Sequence, residues 1–270
     1  MKPKRSLGQN FLVDQNLQRK IAGSLGDPSD QALVEIGPGK GALTQHLIGL
    51  SDRLVLIELD DGLAEALQAS YGGRPGVEII HRDVLTVDFG ALFPDGAAFR
   101  VLGNIPYNIT APIIFKLLER PRPSEILLMV QKEVAERLVA DPGTSEYGAL
   151  TVGVRTVASC RKVFSVPRTA FRPIPKVDSV VIRIIPDDPP PLSLAEEAGL
   201  RRLTRAAFQW RRKQLQKTLR DHPDLVLSSA KVEGIASSTG WDLTRRPETF
   251  APDEFVRISK LLGSSVAGPR

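Results

Sequence analysis

The chain has 270 residues, 42% of them apolar and 25% charged, and a formal net charge of +5. That is ample apolar material for a full core without disulfides or structural metals, and no apolar run approaches the ~20 residues that a membrane-spanning helix needs. The single cysteine, Cys160, has no partner for an internal disulfide, which fits a reducing cytosol; the basic start, Met1 to Ser6, runs into Gln9, Asn10 and Asp14 instead of a secretory apolar core; and the basic balance suits a polyanionic partner.

Near the start, Asp14 is placed to cap a helix in which Leu17, Ile21 and Leu25 recur at i, i+4 and i+8. From Gln31 to about Ala140, short apolar runs alternate with amphipathic stretches. Residues 32–36 predict a buried strand closed by Gly37-Pro38-Gly39, then a helix with Leu43, Leu47, Ile48 and Leu50 on one face. Residues 53–57 form a second strand, and Leu63, Ala66 and Leu67 mark a second helix. Residues 77–80, 101–102 and 126–130 read as three more strands, with Ile113, Ile114, Leu117 and Leu118 at helical spacing between the last two. This alternation implies an α/β fold with a parallel sheet covered on both faces, and ligands of such sheets gather at the carboxyl ends of the strands. The stretch from Ala149 to Ala158 is ambiguous, its β-branched residues favouring strand and its length permitting helix. Residues 180–185 are a clear strand. The proline-rich run 186–191 reads as a linker, beyond which the chain is predicted helical, with Leu200, Leu203, Ala207, Leu215 and Leu219 as its apolar face. The expected organisation is a larger domain over 1–188 and a small helical domain over 189–270.

Three motifs fall at the carboxyl ends of the predicted strands. Gly37-Pro38-Gly39-Lys40-Gly41 leaves a strand and opens a helix, so its backbone can approach a ligand closely. Glu58, about twenty residues on, closes the second strand where a dinucleotide or S-adenosylmethionine would present ribose hydroxyls. The pair indicates an adenosine-type cofactor without saying which. Asp83 ends the third strand, placed either to accept a hydrogen bond from a cofactor adenine or to cap the following turn.

Asn104-Ile105-Pro106-Tyr107 closes the fourth strand and narrows the chemistry. An adenine amino nitrogen is a poor nucleophile because its lone pair is delocalised into the ring. Acceptors for both amino hydrogens, the Asn104 side-chain carbonyl and a backbone carbonyl at Ile105 or Pro106, favour a pyramidal and more nucleophilic nitrogen. Pro106 stiffens the turn, and Tyr107 offers a flat face for an extruded base. On these residues alone the substrate is an amino group of RNA or DNA; a dehydrogenase has no use for such a run at this place.

The motifs also occur in a known order. Lys4 to Leu12 (KRSLGQNFL), Val34 to Gly41 (VEIGPGKG), Asn104 to Ile109 (NIPYNI), Gln131 to Arg137 (QKEVAER) and Phe171 to Ser179 (FRPIPKVDS) together strongly resemble the ribosomal RNA adenine N6,N6-dimethyltransferases. The resemblance runs from about residue 4 to residue 220. It implies a Rossmann-like class I methyltransferase sheet, mostly parallel with an antiparallel last strand, and a small α-helical C-terminal domain. It also implies S-adenosylmethionine as cofactor, and as substrate two adjacent adenosines in the terminal hairpin loop of small-subunit (16S) rRNA. Carried over by position, Asn10 and Leu12 would close over the cofactor and Gly37 would lie against it. Glu58 would hold the ribose hydroxyls and Asp83 the cofactor adenine, while Asn104, Pro106 and Tyr107 would handle the target base. Phe171 would be a second aromatic wall facing Tyr107, its plainer alternative being a core anchor beside two prolines. No metal ligands are implied, and the expected protein is a cytoplasmic monomer acting on 16S rRNA within the small ribosomal subunit.

Arg211-Arg212-Lys213-Gln214-Leu215, with Arg201, Arg202, Arg205, Lys217 and Arg220 nearby, is the clearest basic patch and the expected RNA contact. Two rivals remain. Erm-type methyltransferases of large-subunit rRNA share the glycine loop and the N-x-P-Y run, but the wording of residues 6–12 and the F-x-x-R-R-K-x-L run at 208–215 favour the small-subunit enzyme. A non-catalytic RNA-binding assembly factor is the other, against which the complete Glu58, Asp83 and Asn104 to Tyr107 set argues.

Overall fold

A computed structural model describes residues 9–263. The run Lys4 to Gly8, part of the first family motif, lies outside the described residues. The strands are β1 (Phe11–Leu12), β2 (Ala32–Ile36), β3 (Leu54–Glu58), β4 (Val77–His81), β5 (Phe99–Asn104), β6 (Glu125–Gln131), β7 (Ala158–Val166), β8 (Phe171–Arg172) and β9 (Ser179–Pro186). The helices are α1 (Gln15–Gly23), α2 (Thr44–Leu47), α3 (Asp61–Tyr71), α4 (Phe89–Leu92), α5 (Thr110–Leu117), α6 (Lys132–Leu138), α7 (Ala149–Arg155), α8 (Leu194–Gln209), α9 (Leu215–Asp221), α10 (Ser229–Thr239) and α11 (Pro252–Gly263).

Seven strands form one sheet in the order β4-β3-β2-β5-β6-β9-β7. β2 pairs in parallel with both β3 and β5, β3 with β4 and β5 with β6, while β9 runs antiparallel to β6. The chain therefore proceeds outward from β2 to one side, returns, and continues on the other side from β5. That reversal opens a crevice at the carboxyl ends of β2 and β5, the place where open α/β sheets bind ligands. The central strands are apolar on both faces because helices cover both: Val34, Val55, Val101, Leu127 and Ile182 are fully buried. Each such side chain stabilises the sheet by roughly 1.5–3 kcal/mol.

Asp14 caps α1 as its sequence predicts, its carboxylate accepting from the Asn16 and Leu17 N–H groups. The helix expected to reach Leu50 is shorter: α2 ends at Leu47, and Ile48 turns to extended backbone with ψ of 125°. The ambiguous stretch divides. Residues 149–155 are helical, with the Thr151 hydroxyl accepting from Gly148 N–H at its start, and strand β7 begins at Ala158. The rest of β7 escaped the sequence reading because Arg161, Lys162 and Ser165 break its apolar pattern; charged residues suit the edge position it holds in the sheet.

By packing, the chain divides into one unit comprising residues up to Ala135 together with Cys160–Pro186, and a second comprising Glu136–Ser159 and the chain from Asp187 on. Glu136–Ser159, expected within the larger domain, packs with the helical unit. The reason is tertiary. In that unit α7 packs on α8 and α11, and the Tyr147 hydroxyl donates to Phe250 O at 2.8 Å. The five residues predicted as its apolar face, Leu200, Leu203, Ala207, Leu215 and Leu219, are all buried.

Candidate active site

The crevice beside β2 and β5 holds a cavity of about 260 Å³. Its floor comes from the glycine loop after β2, its walls from Glu58 and Leu59 after β3, Asp83 and Leu85 after β4, and Asn104 to Ile109 after β5. Its roof is the segment Gln9–Leu12. The loop is tight for a steric reason. Gly37 has φ +65°, and a Cβ there would sit 3.2 Å from the Asn104 carbonyl oxygen; Gly39 has φ +59°, and a Cβ would press on the Phe11 ring. The glycines thus bring the loop against both the catalytic strand end and the roof.

Glu58 is buried at 7% exposure and is held by three backbone donors: Gly39 N–H to Oε2 at 3.0 Å, and Leu59 and Asp60 N–H to Oε1, both at 2.9 Å. One carboxylate therefore locks the glycine loop to the end of β3 while keeping an acceptor lone pair for a ligand hydroxyl. Asp83 Oδ1 caps the turn by accepting from Leu85 N–H at 2.9 Å, and the residue also lines the cavity.

Asn104 ends β5 with its amide turned. Nδ2 donates to the main-chain carbonyl of Asn10 at 3.1 Å, which orients Oδ1 as the side chain's acceptor. Of the two backbone carbonyls considered, that of Pro106 already accepts from Ile109 N–H at 3.4 Å and from the Thr110 hydroxyl at 3.3 Å. The Ile105 carbonyl is accordingly the better second acceptor. The Tyr107 hydroxyl bonds the Ser179 hydroxyl at 2.7 Å, fixing the ring, and burial raises its pKa above the usual phenol value.

The roof is braced from several sides. Leu12 is buried and its carbonyl accepts from Gln18 Nε2 at 3.0 Å; Val13 N–H donates to Ala170 O at 2.8 Å; the Lys40 ammonium lies over the Phe11 ring. β1 pairs antiparallel with β8, placing Leu12 opposite Phe171.

Two expectations need correction. Phe171 does not face Tyr107 across the cavity as a stacking wall: its side chain is fully buried, in one apolar cluster with Leu12, Val166, Ala170 and Val181. Pairing with β1 directs it inward, so it anchors the roof. Arg211, expected only as an RNA contact, also braces the helical unit, donating to Ser145 O at 2.8 Å and Thr144 O at 3.0 Å and facing Glu248 at 3.3 Å, while its side chain stays 36% exposed. Arg212 and Lys213 are exposed as expected.

One site residue was missed. Glu35, in the middle of β2, is 1% exposed yet lines the cavity, accepting from the Thr44 hydroxyl at 2.6 Å. Burial, reinforced by the neighbouring charge of Glu58, pushes its pKa up to about 8. The signal was present: a lone carboxylate in the apolar run 32–36. Two buried carboxyls, a ribose-type acceptor and a glycine loop suit S-adenosylmethionine, which carries cationic sulfonium and ammonium groups, a ribose and an adenine.

Comparison with known proteins agrees with this arrangement. The family model described as ribosomal RNA adenine dimethylase matches residues 1–252. "Ribosomal RNA small subunit methyltransferase A" of Prosthecochloris aestuarii is 44% identical over 256 residues, covering 94% of this chain and 92% of that protein. Among solved structures, a dimethyladenosine transferase from Plasmodium falciparum aligns with a TM-score of 0.75 at 27% identity, over 92% of this chain and 95% of that one. The 23S rRNA methyltransferase ErmE aligns at 0.68 and 28% identity, over 94% and 99%. With its class I sheet and cofactor crevice, the chain belongs to the ribosomal RNA adenine dimethylase family of S-adenosylmethionine-dependent methyltransferases.

Proposed function

We propose that this enzyme methylates N6 of two adjacent adenosines in the 3′-terminal hairpin loop of small-subunit (16S) rRNA, giving N6,N6-dimethyladenosine at both. The observation that carries the reading is the turned amide of Asn104, set at the mouth of a cavity framed by Glu58, Asp83 and the glycine loop. The 44% identity to a small-subunit methyltransferase favours 16S rRNA over the large subunit.

When bound, S-adenosylmethionine supplies a methyl group on an electrophilic sulfonium. Glu58 would accept from the ribose hydroxyls and Asp83 from the cofactor adenine, Gly37 would lie against the cofactor, and Asn10 and Leu12 would cover it. The target adenine enters extruded and rests against Tyr107. Asn104 Oδ1 and the Ile105 carbonyl accept its two amino hydrogens, which would leave the nitrogen lone pair facing the methyl donor; Pro106, next in the chain, fixes the turn that follows them. Rate enhancement would come mainly from this alignment, with the amino proton released to water. Exposed Arg212 and Lys213 contact rRNA phosphates from the helical unit. Among the described residues no helix is long and apolar enough to cross a membrane; together with a sequence that holds one cysteine and so no internal disulfide, this supports a cytoplasmic enzyme, acting as a monomer on the small subunit during its assembly.

The test is mass analysis of the small-subunit 3′ hairpin after incubation with the protein and cofactor. Two dimethylated adenosines are expected. Methylation of large-subunit rRNA alone would establish the Erm-type reading instead, which the ErmE likeness keeps second.

A further inference from the structure

We propose that the segment 167–178, between β7 and β9, is a second RNA-binding surface, which grips the unpaired strand beside the extruded adenosine. The proposal rests on the function proposed above and deepens it. Both ends of the segment are tied to residues that line the cavity. At one end, Phe171 pairs with Leu12, which lines the cavity, and Ala170 O accepts from the next residue, Val13, through its N–H. At the other, Ser179 holds the Tyr107 hydroxyl at 2.7 Å. Whatever docks on this segment therefore lies beside the base site.

The chemistry of the segment fits one kind of partner. It presents three exposed cations, Arg168, Arg172 and Lys176. Its one carboxylate, Asp178, has Oδ1 occupied by Arg168 N–H at 2.9 Å. The Arg172 guanidinium is pre-set by bonds from Nη1 to Thr169 O at 3.0 Å and Phe171 O at 2.8 Å, leaving its outer donors toward solvent. Between the cations stand exposed apolar side chains, Ile174 at 54% and Val177 at 41%. A plain solvated loop gains nothing from exposed isoleucine and valine. A single RNA strand offers what the interleaving matches, phosphates for the cations and base faces for the apolar groups. An acidic protein surface would match only the former. The segment also places phosphate contacts in the unit that performs the chemistry, in addition to those of the helical unit.

The experiment measures binding of an unmethylated small-subunit hairpin RNA by fluorescence anisotropy from about 50 to 200 mM salt, alongside cofactor binding and turnover. The triple variant Arg168→Gln, Arg172→Gln, Lys176→Gln is expected to bind the RNA at least roughly tenfold more weakly, with the slope of log K against log salt reduced by about 2, at ~0.7 per phosphate on a single strand. Its cofactor affinity stays unchanged. Ile174→Ser is expected to weaken RNA binding without changing the slope. If the triple variant also loses cofactor affinity, Lys176→Gln alone decides: a slope lower by about 0.7 upholds the proposal and an unchanged slope overturns it. Wild-type RNA affinity and slope in the triple variant overturn it outright. A wild type that binds the hairpin without methylating it refutes the function, whereas the slope comparison still scores the surface.

Discussion

The side-chain amide of Asn104 donates to the main-chain carbonyl of Asn10 at 3.1 Å, so one hydrogen bond joins the end of β5 to the cavity roof, the proposed acceptor for the target base to the proposed cover of the cofactor. Cofactor cover and base orientation are thereby coupled: a displaced roof releases the amide, and a released amide loses its aim.

Replacing that side chain separates binding from chemistry. Asn104→Ala should lower kcat about 100-fold or more, in the range seen when a single aligned transition-state contact is removed, with little change in RNA affinity. Asn104→Asp should also raise the dissociation constant for the cofactor, since a carboxylate cannot donate to Asn10 O and repels it. Stopped turnover with hairpin binding measured in parallel checks both.

Glu35 makes stability and cofactor binding depend on pH. Its folded pKa of about 8 lies above the ordinary carboxyl value of 4.5, so the protonated form favours folding. That contribution is complete below about pH 4.5 and is lost as pH rises through 8. The wild type should therefore lose thermal stability relative to Glu35→Gln between pH 5 and 8. Cationic cofactor favours the ionised carboxyl, so binding should release a proton and tighten as pH rises toward 8, by up to about tenfold per unit. Calorimetry in buffers of different ionisation enthalpy reads the proton directly, and Glu35→Gln should abolish its release.

Phe171→Ala should act on stability. Removing a fully buried phenylalanine costs roughly 3–5 kcal/mol, and the loosened roof should weaken cofactor binding. Tyr107→Ala should destabilise by less, roughly 1–3 kcal/mol as the buried Ser179 hydroxyl loses its partner, while cutting kcat with RNA far more than Phe171→Ala does. An urea midpoint unmoved in Phe171→Ala would restore the stacking role.

The basic run divides in the same way. Arg211→Met should destabilise the helical unit by no more than about 1 kcal/mol, because the Thr144 and Ser145 carbonyls it leaves are exposed and can turn to water. Arg212→Gln with Lys213→Gln should leave stability within about 0.5 kcal/mol while flattening the salt dependence of RNA binding. Thermal melts and anisotropy titrations on the same preparations distinguish the two.

Sequence by itself determined the sheet, its cofactor end and most of the cavity wall. Apolar runs buried on both faces report a covered parallel strand directly, and Gly37, Glu58, Asp83 and Asn104 follow strand ends at positions that topology maps onto one crevice. What it could not decide were matters of direction and partnership. Whether Phe171 points at a base or into the core depends on the pairing of β8 with β1, two strands of two residues each and far apart in the chain. Whether Arg211 is free for phosphate depends on carbonyls 66 and 67 residues away. The pKa of Glu35 depends on how completely neighbouring elements exclude water, and the assignment of Glu136–Ser159 to the helical unit on which surface α7 packs against. Local pattern specifies which residues are apolar and where strands end; long-range packing alone sets which way a side chain faces and what it meets there.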